Sequence, residues 1–284
     1  MVHAQSQSNP FSLHLIPFRK SPHMKRITAF PRLLIFLISL GAAGGAAAQE
    51  AALSAKELAA QLSTTVRDGA SVVRLKLEGG KPDPVLQLQI KSRRTAAGTD
   101  LLYQVLWPKD RKGEGFVIRK SANGAPSGSV MVPPDTVRPI TAADMDQSLF
   151  GSDLTYSDLV ENFFAWDQQT LNGQEIVDRI PCVILESKPT GSDRSSYSLV
   201  RSWVDAKRFV PLRVEKFNRA GQLIRRITTT RVAKDDNRRH VAASFTVQRA
   251  GANSVTTLEG SNIKHDVTLQ DSDFTPAALR TLAK

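Results

Sequence analysis

Leu149-Phe150-Gly151-Ser152-Asp153-Leu154-Thr155-Tyr156-Ser157-Asp158-Leu159-Val160-Glu161 is the stretch on which the fold turns. Thr155 is placed to cap a short helix, and Asp158, three positions on, completes a capping box. Tyr156, Leu159, Val160 and Phe163 follow at i, i+3, i+4 and i+7, one apolar stripe of a helix. The chain on either side reads as strands, a shorter series before and a longer one after. A short amphipathic helix in such a chain must lay its apolar face on a sheet, as a connector that closes the core or as a lid.

The flanking strands show period-two alternation. Val73, Leu75 and Leu77 alternate with Arg74 and Lys76; Leu86, Leu88 and Ile90 alternate with Gln87, Gln89 and Lys91. This is a sheet with one dry face and one wet face. Leu101 to Trp107 is more uniformly apolar, with Tyr103, Val105 and Trp107 on one face, and Phe116-Val117-Ile118 is short. Residues 121–129 are rich in turn formers, and Val130-Met131-Val132 is a brief strand stopped by Pro133-Pro134. After the central helix, strands are expected from Phe163 to Leu171, broken at Asn172-Gly173. More follow at Cys182–Glu186, Tyr197–Val204, Phe209–Phe217, Gln222–Val232, His240–Gln248 and Ser254–Lys264. Short turns such as Asn218-Arg219-Ala220-Gly221 join them, the signature of an antiparallel meander. Two further helices are expected. One is capped by Ser54 with Glu57, carries Leu58, Leu62 and Val66 on one stripe, has Leu53 and Leu58 where a hydrophobic staple belongs, and ends at Asp68-Gly69. The other starts at Thr275-Pro276.

These elements predict a mainly β chain with few α-helices. A single antiparallel sheet of about ten or eleven strands is too long to stay flat, because strand twist curls it. Alternation alone leaves open a barrel, a sandwich or an incomplete barrel.

Residues 1–48 are expected to be an N-terminal extension plus a cleaved secretory signal peptide. Met24-Lys25-Arg26 is a basic start, Leu33 to Leu40 an apolar run, and Ala46-Ala47-Ala48 a small-residue cleavage site that leaves Gln49 first. Met24 is the expected true start. The apolar run is shorter than the roughly 20 residues a membrane-spanning helix needs. Residues 49–284 then form one domain. No Cys stands directly after the apolar run, at the expected cleavage site, so acylation of an N-terminal Cys is not expected. Cys182 is the single cysteine and sits in an apolar run, as a structural thiol would.

The whole chain has 38 Lys and Arg against 27 Asp and Glu. Removing residues 1–48 takes away five basic residues and leaves the remainder at +6. A moderate positive charge suits contact with anionic surfaces. Nucleic acid is not an expected partner, since no basic run is interleaved with aromatics.

The chain offers little to catalysis. His240 and His265 are the only histidines beyond residue 48, and neither has a neighbouring ligand in sequence, so no metal site is expected. No G-x-S-x-G, phosphate-binding loop or dinucleotide fingerprint is present. Ser152 lacks the strand-elbow-helix context of a nucleophile. Asp153 and Asp158 read as acidic residues at a helix start. The expectation is no enzyme, no catalytic residue and no cofactor.

The run Phe150 to Leu159 resembles the central signature of the outer-membrane lipoprotein-sorting family of LolA-like periplasmic carriers. Similar pieces lie in order on both sides: Leu106-Trp107-Pro108-Lys109-Asp110-Arg111-Lys112-Gly113-Glu114-Gly115-Phe116 upstream, then Ile180-Pro181-Cys182-Val183-Ile184-Leu185-Glu186, Trp203-Val204-Asp205, Pro211-Leu212-Arg213-Val214-Glu215 and the turn at Arg219-Ala220-Gly221. Where the family carries a Trp-x-Tyr-x-Pro pattern, this chain has Val130-Met131-Val132-Pro133.

The resemblance implies an incomplete, half β-barrel lidded by short helices, with an apolar interior that receives acyl chains of a lipoprotein or lipid. Phe150, Gly151, Ser152, Asp153, Tyr156, Leu159 and Val160 are then the lid and family-motif residues. Leu75, Leu77, Leu86, Leu88, Tyr103, Val105, Trp107, Phe116, Ile118, Trp203, Val214 and Phe217 are candidates for the cavity wall. The implied function is a monomeric periplasmic carrier, with an inner-membrane transporter and an outer-membrane acceptor as candidate partners. The alternative is a periplasmic sensor that recognises lipids or envelope proteins and signals to a membrane partner.

Overall fold

A computed structural model describes residues 53–280, apart from 67–68, 80–84, 123, 133, 192 and 194. The expected extension and signal peptide, and Gln49, lie outside the described residues. So do Asp68 and Pro133. No helix among the described residues is long and apolar enough to cross a membrane.

Helix α1 (Ala55–Val66) is followed by β1 (Gly69–Glu78), β2 (Leu86–Thr95), β3 (Gly98–Trp107), β4 (Gly115–Ser121), β5 (Ser127–Val132) and β6 (Thr136–Pro139). Helix α2 (Tyr156–Val160) comes next, then β7 (Gln168–Val177), β8 (Ile180–Lys188), β9 (Leu199–Asp205), β10 (Val210–Phe217), β11 (Leu223–Lys234), β12 (His240–Arg249), β13 (Thr256–His265) and helix α3 (Pro276–Arg280). All thirteen strands form one antiparallel sheet in the order β6-β5-β4-β3-β2-β1-β13-β12-β11-β10-β9-β8-β7.

The order explains the position of the central stretch. The chain begins mid-sheet at β1, meanders outward to the edge strand β6, and resumes at the opposite edge strand β7. It then returns strand by strand until β13 pairs with β1, Leu77 opposite Leu258. The segment between β6 and β7 must therefore cross one face of the sheet, and α2 lies within that crossing. The sheet is open, since its two edges are β6 and β7.

Side-chain alternation sorts the core into two layers. Under the crossing segment, Leu77, Leu86, Leu88, Leu101, Val105, Phe116, Ile118, Val247 and Leu258 of the sheet pack with Leu149, Leu154, Tyr156 and Val160. On the same face Leu58, Ala59 and Leu62 of α1 meet Phe164, Leu185 and Val204. On the other face Leu102, Val117 and Met131 are covered by Phe274 and by Leu279 of α3, and Gln104 Nε2 donates to the Ala278 and Leu279 carbonyls at 3.2 Å.

The Ser54 cap forms as the sequence requires: Ser54 N donates to Glu57 Oε2 at 2.8 Å, and Glu57 N donates to Ser54 Oγ at 3.3 Å. Leu53, its intended staple partner, stays 41% exposed. Three expectations need correction. The sheet has thirteen strands, not ten or eleven, and the short exposed β6, closed by Pro139, carries no alternation to announce it. Phe163–Ala165 is a 3-10 turn, not the start of a strand, because Phe164 is drawn into the α1 cluster. Asn172-Gly173 does not break β7: the register shifts between Leu171 and Gln174, with Gly173 at φ +82°. A bulge with glycine in the left-handed region absorbs the extra residue and pairing continues.

Candidate functional site

The crossing segment is fixed by its own turn chemistry. Leu149 N donates to the Leu154 carbonyl at 2.8 Å and Ser152 N to the Leu149 carbonyl at 2.8 Å. Phe150 and Gly151 both take positive φ, 53° and 83°. Glycine makes the second of these cheap. Ser152 is buried and its Oγ accepts from Leu154 N at 3.2 Å, a turn role. Asp153, expected from sequence at the helix start, is not there: the helix is capped by Thr155, with Asp158 in its first turn. Asp153 is buried, takes hydrogen bonds from Thr256 Oγ1 at 3.1 Å and Ser254 Oγ at 3.2 Å, and so pins the loop to β13.

The capping box of α2 is made: Thr155 N and Thr155 Oγ1 both donate to Asp158 Oδ2 at 2.9 Å. Tyr156 turns into the core, its ring edge-on to Phe116 at 4.8 Å, and Phe116 in turn stacks on Tyr103 at 4.8 Å. Val160 is buried in the same cluster.

Beneath this segment lies a cavity of about 280 Å³. Phe150, Leu154 and Leu159 form its roof; Leu75, Leu77, Leu88, Tyr103, Val214, Ile227, Phe245 and Leu258 are among its walls. Asp158 is its one acidic or basic lining residue among those described. The structure thus brings Leu75, Leu77, Leu88, Tyr103 and Val214 of the sequence candidates to the cavity, with Phe150 and Leu159 above. Leu86, Val105, Phe116 and Ile118 lie in the packed core beside it and do not line it.

Three candidates are elsewhere. Trp107 is 50% exposed at the end of β3. Trp203 packs with Val177, Cys182, Val210 and Leu212 on the opposite face, where its Nε1 donates to Glu175 Oε2 at 2.7 Å. Phe217 lies under the Arg201 guanidinium on that face, 5.6 Å away. An aromatic reads as interior from composition, but strand parity decides the side. A bulge between Pro211 and Arg213 also shifts the register of β10 on β9.

Asp158 is also the hub of a buried ionic cluster that sequence reading missed. Its Oδ1 accepts from Lys216 Nζ and from Tyr197 OH, each at 2.7 Å. Its Oδ2 accepts from Arg225 Nη1 at 2.5 Å. The side chains of Asp158, Lys216 and Arg225 are 1%, 2% and 7% exposed. Arg225 Nη1 also donates to Tyr197 OH at 2.9 Å, and the Lys216 ammonium sits 4.7 Å from the Tyr197 ring centre. Burial alone would raise the Asp158 carboxyl. Attraction to Lys216 and Arg225, with the hydrogen bonds from Lys216 and Tyr197, outweighs it and holds the group well below the usual carboxylate range. Burial and then the neighbouring Asp158 charge push the Tyr197 phenol up. One turn on, burial pushes Glu161 up to about 7, against the pull of Lys216 and a hydrogen bond from Ser195. The available signal was a cation at the apolar parity: Lys216 shares a face with Val214, and Arg225 with Ile227.

A second grouping corrects the expectation that His265 is isolated. Candidate ligand atoms of Asp235, Asp236 and His265 lie within 4.8 Å of one another. His265 N donates to Asp236 Oδ2 at 2.7 Å and its Nδ1 also meets Asp236. Arg239 Nε donates to Asp235 Oδ2 at 2.9 Å, and Arg239 Nη2 lies 3.0 Å from His265 Nε2. A guanidinium of the protein already bridges this group. Cys182 is 1% exposed, and burial pushes its thiol up, away from the reactive thiolate.

An open antiparallel sheet with an apolar cavity roofed by a crossing helix defines the class: this is a LolA-like fold. A family model described as uncharacterized protein matches residues 98–281, and the chain belongs to that family. Solved structures agree on the fold. A DUF1329 family protein from Desulfovibrio piger is similar at TM-score 0.72 and 23% identity, over 79% of this chain and 97% of that one. A candidate outer membrane lipoprotein-sorting protein domain from Vibrio parahaemolyticus gives TM-score 0.69 and 21% identity, over 78% and 97%. A LolA superfamily protein from Nitrosomonas europaea gives 0.62 and 20%, over 79% and 98%. No curated protein matches the chain.

Proposed function

We propose that this protein is a periplasmic carrier that binds the acyl chains of a lipoprotein or lipid beneath α2 and shuttles them toward the outer membrane. The observation that carries the reading is the apolar cavity between the sheet and the crossing segment. An acyl chain in water exposes apolar surface that costs about 0.8 kcal/mol per methylene to leave unburied. A non-covalent carrier needs an enclosed apolar space and a cover that opens, and α2 is short enough to move as a unit. The N-terminal signal pattern supports a periplasmic location, and the sequence supplies no catalytic grouping that would argue for an enzyme.

The test is native mass spectrometry with lipid extraction on the protein purified from periplasm, together with uptake of a fluorescent fatty-acyl probe. A co-purifying acylated species and probe uptake are expected. Leu159→Asp, which places a charge in the cavity roof, is expected to weaken probe binding at least about tenfold while the far-ultraviolet circular dichroism stays unchanged. An empty wild-type protein that takes up no probe overturns the carrier reading.

A further inference from the structure

The wall of the cavity continues into a pair of buried cations. Val214 and Ile227 line the cavity and face each other across β10 and β11. Two residues along each strand, on the same face, Lys216 and Arg225 are again direct cross-strand partners. Like charges directly opposed on a sheet repel, and here both are withdrawn from water. What holds them together is a carboxylate that belongs to neither strand: Asp158 arrives on α2, the element that roofs the cavity. One carboxylate faces two cations. Glu161 is in electrostatic range of Lys216, yet among the described ion pairs it bonds neither cation. Arg225 Nε is buried with no hydrogen-bond partner, a donor left over in a site already short of negative charge. Lifting α2 would remove Asp158 and leave Lys216, Arg225 and the Tyr197 hydroxyl at the end of an apolar wall.

We propose that the cargo is an anionic amphiphile, whose acyl chain occupies the cavity and whose oxyanion takes the place of the Asp158 carboxylate between Lys216 and Arg225. This rests on the carrier reading and adds the head-group class to it. Asp158 then acts as the empty protein's stand-in for the ligand's charge. It keeps the cations paired while no cargo is bound, and its displacement couples loading to release of α2. Carboxylate and phosphate heads share this chemistry, both being acceptors that an Arg–Lys pair holds by charge-assisted hydrogen bonds.

The experiment is displacement of a bound fluorescent acyl probe from the full-length mature protein by four ligands of one chain length: dodecanoate, monododecyl phosphate, dodecanol and dodecyltrimethylammonium. The expected order places both anions about tenfold or more ahead of dodecanol, with the cation weakest; whichever anion binds tighter names the source. Arg225→Gln and Lys216→Met are expected to reduce the ratio of anion to dodecanol affinity to below threefold. Asp158→Asn is expected to bind the anions more tightly than wild type. Equal affinity of dodecanoate and dodecanol in wild type overturns the proposal and leaves the carrier reading standing. Failure of all four to displace the probe, or of the probe to bind, overturns both. The wild-type series decides the question even if a variant fails to fold.

Discussion

Asp158 and Lys216 meet 2.7 Å apart with side chains 1% and 2% exposed, joining a five-residue helix to β10 of a thirteen-stranded sheet. The same carboxylate caps its own helix through Thr155. One side chain therefore sets both the local start of α2 and its docking. Withdrawing charges from water is expensive, so the pair is weak evidence of net stabilisation, but breaking it strands the partners.

Asp158→Ala should consequently cost far more than the loss of a surface cap. It leaves Lys216 and Arg225 buried without their carboxylate, a defect of about 3–5 kcal/mol, whereas a lost cap alone costs roughly 1 kcal/mol. Urea unfolding of wild type and variant measures the difference. A loss below about 1 kcal/mol would mean that the cations find water or another partner when Asp158 is removed.

Acid should act through the same residue. The Asp158 carboxyl is held below its ordinary value in the fold, so its contribution is complete above the unfolded value near 4 and is lost as pH falls below that. Glu161 works in the opposite sense. Its carboxyl is raised to about 7, so the folded state favours its proton, and stability declines as pH rises from about 4.5 to 7. Thermal melts across about pH 3 to 8 should show Glu161→Gln removing the decline on the neutral side. They should also show Asp158→Asn flattening the acid side. A Glu161→Gln profile that superimposes on wild type would refute the Glu161 assignment.

Gly115 opens β4 opposite Gln104, and an added Cβ there would stand 2.3 Å from the Tyr103 carbonyl oxygen. Because the obstacle is backbone in a paired strand, it cannot rotate away. Gly115→Ala should destabilise by about 1–3 kcal/mol through strand displacement beneath Phe116. Gly221→Ala is the contrasting control. Its Cβ would meet nothing within 4 Å, and the cost there arises from φ +73° alone. Chemical denaturation of both variants separates steric from conformational cost, and equal losses would show that the carbonyl contact is relieved by local movement.

Much of this architecture is readable from residues close in sequence. Alternation in Val73–Leu77 and Leu86–Ile90 fixes which side of β1 and β2 is dry, because successive side chains on a strand point oppositely. Thr155 with Asp158, and Ser54 with Glu57, fix two helix starts through bonds spanning three residues. The run Phe150 to Leu159 and its flanking pieces carry the LolA-like resemblance. Local signals are weak where no alternation exists, and β6, the bulge at Gly173 and the 3-10 turn at Phe163 were set by packing instead.

The site itself was decided only by the tertiary structure. Asp158 lies 58 residues from Lys216 and 67 from Arg225, and nothing in a capping box says what else its carboxylate will hold. The register that pairs Val214 with Ile227 also pairs Lys216 with Arg225, so the two cations became neighbours by strand alignment. Trp203 and Phe217, apolar by type, went to the other face because parity outranks hydrophobicity on a strand. The sequence by itself determined the strands, the caps and the turns, whose forces act over a few residues. Which charges face each other beneath α2 follows from sheet order, since only the return of the chain from β7 to β13 brings those strands under the helix.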